Sequence, residues 1–182
     1  EQIVAISTTQ AAALSTANAY ALTSEQIAAM QTEDLVVFST ANLQVLATTQ
    51  IVAFTTAQIS GILSSTQIAA LRTTNVRALL TDQIAALTTR QIQEGLSSTQ
   101  INSLTSTQVA ALSTDQIVAL STTQILGLLT SVVLALSSTQ VVAMQTEDVQ
   151  TLATTNVRAL TSDQVLALTT AQVVALTTCL LY

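Results

Sequence analysis

Residues 113–120 read Ser-Thr-Asp-Gln-Ile-Val-Ala-Leu, and residues 169–176 read Thr-Thr-Ala-Gln-Val-Val-Ala-Leu. The same eight-residue pattern extends in both directions and forms 21 full repeats over residues 7–176, with a partial repeat at each end. Self-similarity at a fixed period is the signature of a repeat architecture. We therefore predict a single uninterrupted repeat array over residues 1–182, with no linker and no second domain.

The eight positions of the repeat differ in how freely they vary. Position one is Ser or Thr in 14 repeats, and position two is Ser or Thr in all 21. Position four is Gln in 14 repeats, Asn in four and Asp in two, with Val132 as the exception. Position five is Ile or Val in 17 repeats, position seven is mostly Ala, and position eight is always a large apolar residue. Position six varies freely, so we expect it to face outward.

A short helix in every repeat explains this pattern. Ser/Thr-x-x-Gln is a capping box, and the apolar residues at positions eight and five flank it as a hydrophobic staple. Positions five and eight are three residues apart and share one helical face. Most acidic residues, Glu1 among them, lie at position three, where the helix dipole favours a negative charge. We predict an all-α solenoid of single helices of about seven residues, one per repeat. The pattern leaves open whether position one or position two is the N-cap.

The alternative fold is a β-solenoid, because Ile, Val and Thr favour strands. Positions five and eight are an odd number of residues apart, however, so a strand would point them to opposite faces. Ala, Leu and Gln also favour helix. We therefore prefer the helical solenoid.

The distribution of unusual residues predicts two repeats per turn. The spacing predicts nine residues in four repeats: 55–63, 72–80, 88–96 and 121–129. These repeats, all three glycines and all four arginines fall at odd ordinals, and most acidic residues fall at even ones. Odd and even helices would then occupy opposite sides of a rod, with one acidic edge and one edge that carries arginine.

Self-association is predicted along those two sides. Even repeats place large apolar residues at the outward position six, and we expect that row to be buried between copies of the chain. Scattered surface apolar residues are the alternative interpretation. The candidate self-association residues are Val36, Val52, Val118, Leu134 and Leu166, together with Arg72, Arg77, Arg90 and Arg158.

Composition argues against catalysis and against most ligands. The chain has no His and one Cys, so His/Cys metal, haem and nucleophile sites are excluded, and we predict no metal, no cofactor and no enzyme activity. The adjacent acids Glu33-Asp34 and Glu147-Asp148 are more typical of helix capping than of a calcium site or a hydrolase. The lone Cys179 allows no internal disulfide.

Nucleic acid and membrane partners are not expected either. Four arginines and a pI of about 4.1 argue against nucleic acid. The longest apolar-rich stretch, residues 125–136, is too short to span a bilayer, which takes about 20 residues. The expected partners are copies of the chain itself.

The octad Ser/Thr-Thr-x-Gln-Ile/Val-x-Ala-Leu resembles repeat arrays of very large secreted or surface-exposed bacterial proteins, of the adhesin or RTX-like kind. The glycine-rich calcium nonapeptide of RTX proteins is absent, and no functional residue is implied. The resemblance implies a spacer or fibre role at the cell surface or outside the cell. We therefore expect a self-associating segment of an extracellular filament, sheath or fibre. The alternatives are a stalk of a giant adhesin and an ice-binding or surface-binding solenoid that uses its Thr rows.

Overall fold

The computed structural model describes residues 7–61 and 63–180, with side chains described as far as residue 176. In this part of the chain the regular structure consists of short helices, with no strand, and the prediction of an all-α solenoid is confirmed. Glu1 and the side chain of Cys179 lie outside the described residues.

The chain divides into two compact units, one ending at Leu96 and the other beginning at Ser97. The first unit contains α1 Thr8–Ala12, α2 Thr16–Tyr20, α3 Ser24–Ala29, α4 Thr32–Val36, α5 Thr40–Val45, α6 Thr48–Ile51, α7 Thr56–Gly61, α8 Ser65–Ala69, α9 Thr73–Ala78, α10 Thr81–Ala85 and a π-helical turn Gln91–Gly95. The second unit contains α11 Ser98–Asn102, α12 Ser106–Ala111, α13 Thr114–Val118, α14 Thr122–Leu126, α15 Thr130–Ala135, α16 Ser138–Ala143, α17 Thr146–Thr151, α18 Thr154–Ala159, α19 Ser162–Ala167 and α20 Thr170–Leu180.

Position one of the repeat is the N-cap, and position two is the first helical residue. In α16, for example, the backbone N–H of Gln140 donates to Ser137 Oγ at 3.2 Å, and the N–H of Ser137 donates to Gln140 Oε1 at 2.8 Å. This reciprocal pair is the predicted capping box. It recurs with Ser or Thr in α1, α3, α8, α11, α12, α13, α14 and α19.

The helices are shorter than predicted because the last and first positions of successive repeats can both be extended. At the end of α3, for example, Met30 has φ −61° and ψ 135°, and the next N-cap, Gln31, has φ −73° and ψ 159°. Most helices therefore hold five or six residues rather than seven. These extended residues supply the chain reversal that glycine and proline supply in other folds.

Three repeats form each turn of the solenoid, so the prediction of two repeats per turn was wrong. The stacked helices are three apart along the chain, as in α2 with α5 or α13 with α16. The hydroxyl of Ser24 and the carbonyl oxygen of Thr49, which are hydrogen-bonded across adjacent layers, are 25 residues apart. The physical reason is that the extended pair between helices turns the chain by about a third of a circle rather than half.

The core of each unit consists of positions five and eight. Ile27, Leu43 and Ile84 at position five are fully buried, and Met30, Phe38 and Phe54 at position eight are nearly so. From Asp34 onward the side chains at position four are buried as well, although all but Val132 are polar, whereas Gln10 and Asn18 in the first two repeats are exposed.

Two of the four proposed nine-residue repeats have ordinary length. Leu80 and Leu129 are N-cap residues of α10 and α15, so the repeats around them contain eight residues each. The true insertions lie in repeats 55–63 and 88–96. Both are absorbed by widening one helical turn: the N–H of Leu63 donates to the carbonyl oxygen five residues earlier, and the second insertion forms the π-helical turn.

Candidate self-association surface

A ladder of buried side-chain amides joins the layers. In α19, Gln164 Oε1 accepts the N–H of Thr161 at 2.9 Å, and Gln164 Nε2 donates to the carbonyl oxygens of Val133 and Leu136 at 2.9 and 2.8 Å. The Leu136 carbonyl follows the last turn of the helix four repeats earlier, where helical donors run out, and the Val133 carbonyl also accepts the N–H of Leu136 at 3.3 Å. The same bonds are made by Gln50, Gln58, Gln67, Gln83, Gln91, Gln140 and Gln172, and the shorter Asn42, Asn75 and Asn156 each reach one carbonyl.

The hydroxyl at position two forms a second link between layers. Ser24 donates to the carbonyl oxygen of Thr49 at 3.2 Å, and Ser138 donates to that of Asp163 at 3.3 Å. Ser65 and Ser98 donate to position-three carbonyls in the same way. At these four serines the bond gives the position-two hydroxyl a role that capping alone does not.

At Val132 and Asp148, where position four lacks an amide, another side chain supplies part of the missing bonding. Val132 cannot accept the N–H of Leu129, and Asn102 Oδ1 accepts it instead at 2.9 Å. Asp148 cannot donate to the previous layer, and Gln145 Nε2 donates to the carbonyl oxygen of Val118 at 3.4 Å. In residues 145–148, position one therefore makes the interlayer donation that position four makes elsewhere. The sequence did not predict this donation, although the recurrence of Gln-Thr-Glu-Asp at residues 31–34 and 145–148 was the available signal.

Within each adjacent acidic pair, the two side chains differ in their exposure to solvent. Glu33 and Glu147 are exposed, whereas their neighbours Asp34 and Asp148 are buried. Burial raises the pKa of Asp148 and the nearby charge of Glu147 raises it further, while a hydrogen bond from the backbone of Gln145 lowers it. Among the described residues no group of His, Cys, Asp and Glu side chains is arranged to hold a metal ion.

The predicted apolar row does not lie on one side, because even repeats do not share a side when three repeats make a turn. In the first unit, Val36 belongs to α4, which stacks on α1, whereas Val52 follows α6, which stacks on α3. In the second unit, Leu134 belongs to α15, apart from the stack that contains Val118 and Leu166.

One stack in the second unit places an exposed apolar side chain at the same repeat position of three successive helices. Helices α13, α16 and α19 pack in series, and their position-six side chains are Val118, Val142 and Leu166, exposed by 39%, 38% and 84%. We name these three residues the apolar strip. Val142 was not among the predicted self-association residues because it belongs to an odd-numbered repeat.

The arginines do not form an edge either. In the first unit, Arg72 Nη2 donates to the carbonyl oxygen of Leu46 at 2.6 Å, and Arg90 Nε donates to Glu94 Oε2 at 2.8 Å in an exposed ion pair. The hydrogen bond and charge of Glu94 raise the pKa of Arg90. Arg77 is exposed on α9, as is Arg158 in the second unit. Arg90 and Glu94 share one turn, so acids and arginines are not segregated.

An open cleft of about 370 Å³ lies beside the π-helical turn. Several of its polar lining groups already have partners: the Ser60 hydroxyl donates to the carbonyl oxygen of Thr56, and Arg90 pairs with Glu94. The hydroxyls of Ser64 and Thr88 donate within their own capping boxes. The cleft follows from the two insertions, whose repeats are joined by Gln91.

The fold and the ladder define the class of protein: an all-α solenoid built from octad repeats. The chain belongs to the ALTTAQ repeat family, whose pattern matches residues 27–62, 61–94, 94–122 and 141–178. No curated protein matches the sequence. Among the described helices, none combines the length and the apolar character that crossing a membrane requires.

Proposed function

We propose that the chain is a structural protein rather than an enzyme, and that it is a self-associating segment of an extracellular filament, sheath or fibre. The observation that carries this proposal is the apolar strip Val118–Val142–Leu166. Contiguous exposed apolar surface on a soluble protein is typical of an interaction site. The proposed partner is another copy of the chain.

The ladder supports a structural role independently of the strip. The polar side chains at positions two and four form hydrogen bonds between layers, and positions five and eight fill the core. Interior side chains are thus engaged in holding neighbouring repeats together, as expected of a solenoid whose repeats cannot fold alone. An exterior location suits the hydroxyl-rich exposed surface and the single cysteine.

A stalk or spacer is the second candidate. The same ladder favours it, because an array whose interlayer bonds are internal needs no partner to remain folded. In that case the apolar strip would be an ordinary exposed surface. The two candidates differ in whether copies of the chain associate.

Electron microscopy and light scattering of the purified chain over a range of concentrations separate these candidates. The double variant Val142→Asp with Leu166→Asp should keep its helical circular dichroism and lose assembly, because buried unpaired carboxylates are costly. Val36→Asp is the matched control, since it changes an exposed valine at the same repeat position in the first unit. Assembly by the control but not by the double variant is expected. Unassociated particles of the wild-type chain at every concentration would overturn the filament proposal and favour the spacer.

A further inference from the structure

In the repeat that contains α17, the position-four side chain is not an amide and does not donate to the previous layer as the amides of the ladder do. Its position-four residue is Asp148, which is buried and in its ionised form has no hydrogen to donate. Its carboxylate still accepts a hydrogen bond from the backbone of Gln145, as an amide oxygen would. Half of the usual role is therefore kept, and the donation to the previous layer is lost.

The asparagines identify the carbonyl that Asp148 would reach. Asn42, Asn75 and Asn156 have side chains of the same length, and each donates to the position-eight carbonyl four repeats earlier, at 3.0, 3.1 and 2.8 Å. For Asp148 the equivalent acceptor is the carbonyl oxygen of Leu120. Gln145 reaches the neighbouring carbonyl of Val118 instead.

Among the described residues, none of the helices that contact α17 places a cation beside Asp148 to stabilise its negative charge. Helices α14 and α20 pack against α17, and neither has a charged residue in its described part. Helix α13, whose Val118 carbonyl accepts the bond from Gln145, contributes the acidic Asp115, and the adjacent Glu147 is also acidic. Arg158, on the following helix, is exposed to solvent. Cys179 lies beyond the described side chains.

We propose that Asp148 is a proton-operated latch between two layers of the second unit. The neutral carboxyl group donates its O–H to the carbonyl oxygen of Leu120, as asparagine does elsewhere, and the ionised carboxylate releases that contact. The proton comes from solvent and returns to it. Acidification therefore tightens this layer, and a rise in pH loosens it.

The sign follows from linkage. Burial raises the pKa of Asp148 in the folded chain, so the folded state binds this proton more tightly than the unfolded state does. The latch then contributes its full stability below the unfolded pKa, and that contribution is lost as the pH rises through the folded pKa. Each unit of difference between the two pKa values changes the unfolding constant by about tenfold.

The test compares the full-length wild-type chain with Asp148→Asn, which mimics the neutral acid, and with Glu147→Gln, which removes an exposed carboxylate from the same turn. Unfolding by urea and hydrogen exchange of the α13 and α17 amides are followed from about pH 4 to pH 8. A carbon-13 titration of the Asp148 carboxyl group gives its midpoint directly. Asn occupies position four in four other repeats, so the variant is expected to fold.

At the highest pH, we expect the α13 and α17 amides of Asp148→Asn to exchange about tenfold or more slowly than those of the wild type. This difference in exchange rate should disappear as the pH falls. Glu147→Gln should leave most of this pH dependence in place. A difference between Asp148→Asn and wild type that stays constant with pH would overturn the latch. So would a carboxyl midpoint at or below that of aspartate in the unfolded chain.

Discussion

Gln164 and Leu136 lie 28 residues apart in the chain and are joined by a hydrogen bond of 2.8 Å from Nε2 to the carbonyl oxygen. The same amide oxygen caps its own helix by accepting the N–H of Thr161. One side chain thus begins a helix and closes the end of another in the layer below. This double role explains why Gln dominates position four.

Replacement of Gln164 by Ala should destabilise the second unit by about 2–4 kcal/mol, because the Leu136 carbonyl loses its donor, the Val133 carbonyl loses one of two donors and the N–H of Thr161 loses its acceptor. Urea unfolding followed by circular dichroism measures the loss. Gln10→Ala is the control, since Gln10 is exposed and its side chain bonds only to Ser7 among the described residues. It should cost no more than about 1 kcal/mol. Equal losses in the two variants would show that the interlayer bonds add nothing.

Ala47→Ser should stabilise the chain by about 0.5–1.5 kcal/mol. Ala47 has the extended N-cap conformation and its N–H already donates to Gln50, but it has no side-chain oxygen to complete the capping box. Ser137→Ala is the reverse experiment and should cost about 1 kcal/mol, because Ser137 caps α16. Thermal unfolding should give a higher Tm for Ala47→Ser and a lower Tm for Ser137→Ala than for the wild type. Changes in Tm of the same sign would contradict the capping explanation.

Two glycines should respond to alanine in opposite directions. A Cβ added to Gly127 would lie 2.9 Å from the side chain of Ser98, whereas one added to Gly61 meets no atom within 4 Å. Gly127→Ala should therefore destabilise by about 1–3 kcal/mol through overpacking. Gly61→Ala should stabilise by up to about 1 kcal/mol by limiting the unfolded chain. Urea midpoints decide the matter, and a stable Gly127→Ala chain would refute the close approach of α14 to α11.

Glu25 should show the opposite pH dependence to Asp148. Hydrogen bonds from its own backbone N–H and from the hydroxyl of Thr23 lower its pKa. Its contribution is thus present above the unfolded pKa and is lost as the pH falls through the lowered value. An NMR titration should place the midpoint of Glu25 below that of an unfolded-chain glutamate, and Thr23→Val should move it upward. A midpoint unchanged by that substitution would exclude the Thr23 hydroxyl as a cause.

The local structure of each repeat could be predicted from the sequence. The spacing of Ser137 and Gln140 predicts the capping box, and the three-residue interval between positions five and eight predicts the buried helical face. Both depend on contacts within one repeat, so eight residues hold the whole signal. Acidic residues in the first helical turn, such as Asp82 and Asp163, follow from the same local reasoning.

The number of repeats per turn could not be predicted in the same way. It depends on backbone angles at residues such as Met30 and Gln31, which join helices and whose identity does not encode a rotation. The odd or even repeat numbers of a few glycines, arginines and acids did not predict the number of repeats per turn correctly. With three repeats per turn, Val36 and Val52 lie in different stacks, and Val142 lies in the same stack as Val118. The candidate self-association surface therefore differs from the predicted one.

The two widened turns have a consequence for how such an array can change over time. In repeats 55–63 and 88–96 a ninth residue bulges within one helix, and the next N-caps, Ser64 and Ser97, resume the ordinary capping pattern. A single-codon insertion is therefore corrected within the repeat that receives it. Such an insertion does not shift the register of later repeats. An array of this kind can therefore lengthen, shorten or recombine at any repeat while the remaining repeats keep their capping pattern.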